Sequence, residues 1–114
     1  MKTVKTSELT GATLDWAVAK CEGVEIDYID DGITQCLLRK PSGRYTPATN
    51  WAQGGPIIER EKITVCFDTC RPRWVGCDWD ARLTEFGETP LIAAMRCYVA
   101  GKLGNKIELP EELL

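Results

Sequence analysis

Apolar positions along this chain follow two different periods. In "GATLDWAVAKCEG", which starts at Gly11, Leu14, Ala17, Val18 and Cys21 recur at three- and four-residue steps. That is the spacing of one helix face. Thr10 stands where an N-cap belongs, and Gly23 is a good C-terminal stop. The pattern predicts a helix from about Ser7 or Thr10 to Glu22. The period then changes. Val24, Ile26 and Tyr28 alternate with Glu25 and Asp27, the signature of a half-buried strand. Asp31-Gly32 is hairpin-turn chemistry, and Ile33 to Lys40 reads as the returning strand. Pro41, Ser42 and Gly43 open a loop.

The stretch "NWAQGGPIIEREKI", Asn50 to Ile63, reads as a sharp corner. Gly54 and Gly55 reach backbone angles closed to other residues, and Pro56 fixes its own φ and lacks a donor. Ile57 and Ile58 then enter the core, and Ile63 to Phe67 reads as a strand with Cys66 facing inward. Trp74, Val75, Cys77, Trp79, Ala81 and Leu83 suggest one or two short strands joined by an irregular turn. Thr89 is an N-cap with Pro90 at the first helical position. Ile92, Met95, Val99 and Leu103 share one face of the helix that follows, and Gly104 ends it. Met1 to Thr6 reads as an extended lead-in, and the tail "NKIELPEELL" as loosely packed chain. The expected fold class is α+β. A single domain, residues 1–114, packs an antiparallel sheet with an N-terminal and a C-terminal helix.

Composition narrows the function. A chain of 114 residues is one ordinary domain that can bury a core without metals or disulfides. Its hydrophobic fraction of 44% and charged fraction of 27% are those of a soluble globular protein. Net charge is -3, and neither half of the chain is basic. Duplex nucleic acid is therefore not an expected partner, because wrapping it needs a concentrated positive face. The N-terminus lacks the apolar core of a signal peptide, and no apolar run reaches the ~20 residues that cross a bilayer. A cytosolic protein with reduced thiols is expected, with no membrane partner. The chain has no histidine. That removes the commonest general base and the commonest metal ligand, and it lowers the prior for catalysis. No cofactor is expected.

Three strings in order, "VKTSELTGATLDWAVAKCEG", "NWAQGGPIIEREKI" and "TPLIAAMRCYVAGKLG", resemble the NinX-like proteins, small accessory proteins of lambdoid phages and prophages. The resemblance spans nearly the whole chain. It implies a phage gene expressed in the host cytoplasm, outside the virion and dispensable for basic growth. It carries no catalytic or binding residues, because the family has no settled activity. Small phage accessory proteins often act on host defence or metabolism, an analogy that raises a prior only.

Five groupings invite chemistry. In the first, Gly54 and Gly55 let a backbone approach an anion, and Trp51 can stack on a ring; the plain alternative is a tight turn. In the second, Thr89 opens a helix whose free N–H groups suit a phosphate; the alternative is an ordinary cap, with Glu88 competing against an anion. In the third, Arg71, Arg73 and Trp74 unite a phosphate ligand with a stacking ring, with Trp79 nearby; the alternative is surface arginines over core tryptophans. In the fourth, Cys66, Cys70 and Cys77, with Cys36 as a fourth, carry thiols, but lack the C-x2-C knuckle of structural zinc, so buried free thiols are preferred and no metal is expected. In the fifth, Asp30-Asp31 suits a turn, while Asp78 and Asp80 would share an outward strand face with Trp79 pointing in. The expected function is non-catalytic capture of a small, anionic, ring-containing host molecule, a nucleotide-derived defence signal. The binding residues would be Trp51, Gly54, Gly55, Arg71, Arg73, Trp74 and Thr89, in a chain that can assemble as a homo-oligomer. The alternative is a protein–protein module that masks or redirects a host or phage factor.

Overall fold

A computed structural model describes residues 2–30, 35–39, 43–80 and 82–113. Strand β1 (Lys2–Lys5) leads through a short 3-10 turn into helix α1 (Gly11–Glu22). Strands β2 (Ile26–Asp30) and β3 (Gln35–Arg39) follow, then helix α2 (Trp51–Glu61). Strands β4 (Thr64–Asp68), β5 (Arg73–Cys77) and β6 (Thr84–Gly87) precede helix α3 (Pro90–Leu103) and strand β7 (Lys106–Leu109). All described strand pairs are antiparallel: β1 with β7, β2 with β3, and β4–β5–β6 as a three-stranded sheet. The α+β class is as expected. The proposed Asp31-Gly32 turn lies outside the described residues.

The first and last helices follow their sequence signals. Thr10 caps α1: its N–H donates to Thr13 Oγ1 at 3.1 Å, and that hydroxyl donates to the Thr10 carbonyl at 2.6 Å. Gly23 closes the helix in the left-handed region at φ 68°, a geometry glycine takes without penalty. In α3, Thr89 Oγ1 accepts from the Ile92 N–H at 3.1 Å, and Pro90 fills the first turn. Helix α3 is buried on nearly every side, from Leu91 to Ala100. The sheet covers one flank, and α1 and α2 cover the others. Leu9, Leu14, Val18, Met95, Val99 and Leu109 form the centre of one continuous core.

The Gly-Gly-Pro stretch is not a corner. Residues 51–61 form α2, which runs straight through Gly54, Gly55 and Pro56. The Asn50 side chain starts it by accepting from the Ala52 N–H at 2.9 Å. Pro56 forfeits the bond to the carbonyl four residues back, that of Ala52. Ala52 is exposed, so its carbonyl is not left unpaired in the core. Gly55 has no Cβ to meet the proline ring, which relieves the usual bar on helical backbone before proline. Gly54 is needed for packing: a Cβ there would strike the Pro47 carbonyl and come within 2.6 Å of Leu91 Cδ1. The two helices run parallel from that contact, since Arg60 meets Tyr98 and Glu61 meets Lys102 further along.

The tail is also better ordered than expected. Ile107 and Leu109 are buried, and β7 pairs with β1 from Lys2↔Leu109 to Lys5↔Lys106. The buried Thr6 hydroxyl joins the two ends by donating to the Gly104 carbonyl at 2.7 Å.

Candidate functional site

Register decides what the three-stranded sheet presents. Phe67 pairs with Trp74, and Trp74 with Gly87; Val65 pairs with Gly76, and Gly76 with Glu85. These residues face α3. Gly76 and Gly87 let the helix lie close, because a Cβ at either would come within 2.7 Å or less of the Ala93 backbone. The opposite face carries Thr64, Cys66, Asp68, Arg73, Val75, Cys77, Thr84 and Phe86. It is open to solvent, and Cys66 lies exposed on it, contrary to the inward position expected from the strand pattern.

Arg73 and Trp74 are neighbours on one strand and so face opposite sides. The Arg73 guanidinium lies 3.5 Å from the centre of the Phe86 ring, and its Nε is 3.4 Å from Asp68 Oδ2. Asp68 Oδ1 also accepts from the N–H groups of Arg71 and Cys70, which fixes the hairpin. Those bonds, the Arg71 N–H first, hold its carboxyl below the ordinary range. Trp74 is half-buried and meets Phe67 edge-on, centroids 5.1 Å apart, while Phe67 keeps 46% of its surface exposed. Arg71 is exposed on the hairpin.

The other expected binding residues lie at the same end of α3. Trp51 begins α2 with 55% of its surface exposed. Gly54 is packed against Leu91, and Thr89 is engaged as a cap. Gly87, the cross-strand partner of Trp74, lies two residues before Thr89. Trp51, Gly54, Gly55, Trp74 and Thr89 thus share one end of the molecule, whereas Arg73 turns away from it. None of the seven lines the three clefts that stand out among the described residues.

The opposite end of α3 holds a cleft of about 200 Å³ that sequence patterning misses. The connection from β5 to β6 forms one wall. Asp78 Oδ1 accepts from the Leu83 N–H at 3.0 Å, and Asp80 Oδ1 from the Arg82 N–H at 3.4 Å. These bonds close a turn where a strand face was expected, and they leave Trp79 outside, 75% exposed, not inward. Short Asp–aromatic–Asp segments fit a strand and a turn equally well; only the bonds to Leu83 and Arg82 separate them.

Glu22 and Asp15 tie elements together outside the lining of this cleft. Glu22 at the end of α1 receives Arg60 Nη1 and Nη2 at 3.0 and 2.6 Å and a bond from the Tyr98 hydroxyl. Arg60 first, then Tyr98, holds the Glu22 carboxyl below the usual range against the opposing effect of burial. Asp15 is buried, accepts from the Ala48 N–H at 2.9 Å, and is pushed up to about 6 by burial. Cys21, Cys66, Cys70, Cys77 and Cys97 are free thiols. Among the described residues no group of three or more histidine, cysteine or acidic side chains is placed to hold a metal.

These features define a small α+β protein with outward-facing aromatic and arginine side chains. The chain belongs to the family described as "Bacteriophage P22, NinX", which matches residues 5–102. The match covers α1, α2, the three-stranded sheet and all but the last residue of α3, and ends before β7. No curated protein matches the sequence. No helix among the described residues is long and apolar enough to cross a membrane.

Proposed function

We propose that this phage protein is a non-catalytic module that acts in the host cytoplasm by docking on, and masking or redirecting, a host or phage protein. The open face of β4–β5–β6 supports this reading. Phe86 stays 37% exposed with Arg73 laid across it, beside Val75 and Cys66. Aromatic and arginine side chains are the groups that anchor protein interfaces. A surface row of this kind is held rigid by its sheet, so little ordering is needed on binding. The test is co-purification of tagged protein from infected cells, with wild type and Phe86→Glu compared. A stoichiometric partner lost in the folded variant supports the reading; a partner retained in full by Phe86→Glu removes this face.

A second reading is capture of a small anionic ring-containing molecule, such as a nucleotide-derived defence signal. The Phe67–Trp74 ring pair supports it, because it lies at the end of α3 where Thr89 opens the helix. Trp51 is exposed on the α2 start at the same end. Arg71 on the hairpin is the arginine in reach of this reading, and a homo-oligomer would enlarge any such pocket. Mass spectrometry of small molecules released by heat, after incubation with infected-cell extract, tests it. A nucleotide near one per chain that disappears in Trp74→Ala supports capture; a blank from folded protein opposes it.

A further inference from the structure

The cleft at the C-terminal end of α3 combines three surfaces that suit one kind of guest. Its floor is apolar, built from Ile63, Leu83 and the stretch of α3 at Gly101, where a Cβ would only reach van der Waals contact with Leu83. Its wall is Trp79, held out by the turn bonds at Asp78 and Asp80 and packed against no core. Its rim carries Glu61, Asp78, Asp80 and Lys102. We propose that this cleft binds a primary ammonium or guanidinium group on an aliphatic stem: the side chain of lysine or arginine in a bound polypeptide, or a free polyamine.

The chemistry follows from the parts. An aliphatic stem covers the apolar floor while its charged head stays at the wet rim. The face of an exposed tryptophan is the strongest aromatic partner for a cation. Three carboxylates line the cleft beside one lysine, while Arg60 and Arg82 pair with two of them from outside its lining. The Arg60 guanidinium lowers Glu61, and the Leu83 N–H lowers Asp78. The rim is not free of competition. Lys102 Nζ lies 3.6 Å from Glu61 Oε1, Arg60 Nε lies 2.9 Å from Glu61 Oε2, and Arg82 Nε lies 3.3 Å from Asp80 Oδ2. Lys102 and Arg82 are exposed and weakly held, so a guest can displace them. Lys102 marks the place the guest's cation would take. This site is separate from the open sheet face and does not rest on the docking proposal above.

The experiment is a titration followed at the Trp79 indole N–H by heteronuclear NMR, with Trp79→Phe used to identify the signal. The probes are an acetylated, amidated Gly-Arg-Gly peptide, the matching Gly-Gln-Gly peptide, spermidine, and sodium chloride at equal ionic strength. A saturable shift is expected with a cationic probe, with Kd in the millimolar range of a single anchored side chain. The peptide alone responding assigns a polypeptide source; spermidine alone responding assigns a polyamine. Lys102→Ala should tighten binding and Glu61→Gln should weaken it, each by about fivefold, the size of one exposed ion pair. A merely structural role for these two side chains would not move affinity in opposite directions. Equal shifts with the glutamine peptide, no saturable shift with either cation, or no tightening in Lys102→Ala would overturn the proposal.

Discussion

Gly54 of α2 lies against Leu91 of α3 so closely that a single added methyl would sit 2.6 Å from Leu91 Cδ1 and collide with the Pro47 carbonyl. Backbone and a buried side chain form both sides of that contact, so neither yields cheaply. Gly54→Ala should therefore destabilise the fold by about 1–3 kcal/mol despite the better helix propensity of alanine. Urea unfolding measures it; an unchanged midpoint would mean that the α2–α3 contact is looser than this.

Two residues along, the argument reverses. Pro56 is exposed on α2 and withholds a donor from the Ala52 carbonyl. Interior proline costs a helix ~3 kcal/mol, and its rigidity in the unfolded chain returns under ~1 kcal/mol. Pro56→Ala should thus stabilise the protein by about 1–2 kcal/mol, seen as a rise in Tm. A fall in Tm would place another role on the ring.

Asp15 makes stability depend on pH. Its folded pKa, about 6, lies above its ordinary value of 3.8 because burial disfavours the charged form. Its stabilising contribution is full below 3.8 and is lost as pH rises through about 6. Asp15→Asn keeps an acceptor for the Ala48 N–H and removes the titration. At pH 8 the variant should be the more stable by about 2–3 kcal/mol, at ~1.4 kcal/mol per unit, and at pH 4 the two should nearly agree. Parallel denaturation curves at both pH values check this.

Tyr98 joins the C-terminal ends of α1 and α2 to α3, since its hydroxyl donates to Glu22, which also holds Arg60. Tyr98→Phe should cost about 1.5–3 kcal/mol, the range for a bond to a charged acceptor. Adding Glu22→Gln should then cost less than it does alone, because the two changes break one network. Strict additivity in the double-mutant cycle would contradict the coupling.

Thiol reactivity should follow exposure. Cys66 and Cys70 are exposed, while burial pushes Cys21 up to about 11 and Cys97 up to about 12. Brief labelling with a maleimide at neutral pH, mapped by peptide mass spectrometry, should mark Cys66 and Cys70 first. Cys97 should react only after unfolding.

How much of this was legible in sequence depends on whether a signal is local. Helices α1 and α3 were, because Thr10, Gly23, Thr89 and Pro90 act within one turn of themselves. Alternation at Val24, Ile26 and Tyr28 pointed to the β2 strand, while the β1–β7 pair at the chain's two ends gave no such signal, and three long strings pointed to the NinX family that the chain belongs to. Tertiary structure decided the rest. Glycine and proline at 54–56 allow a corner and a helix alike; the close contacts of Gly54 with Leu91 and Pro47, and an Ala52 carbonyl on an exposed residue, suit the helix. Arg73 and Trp74 are adjacent in sequence, yet the register of β5 between β4 and β6 sends them to opposite faces. Trp79 has the hydrophobicity of a core residue, but bonds from Leu83 and Arg82 to its flanking aspartates hold it outside. Local chemistry specifies elements; which face meets the core is set by partners far away in the chain, and a single sequence does not display them.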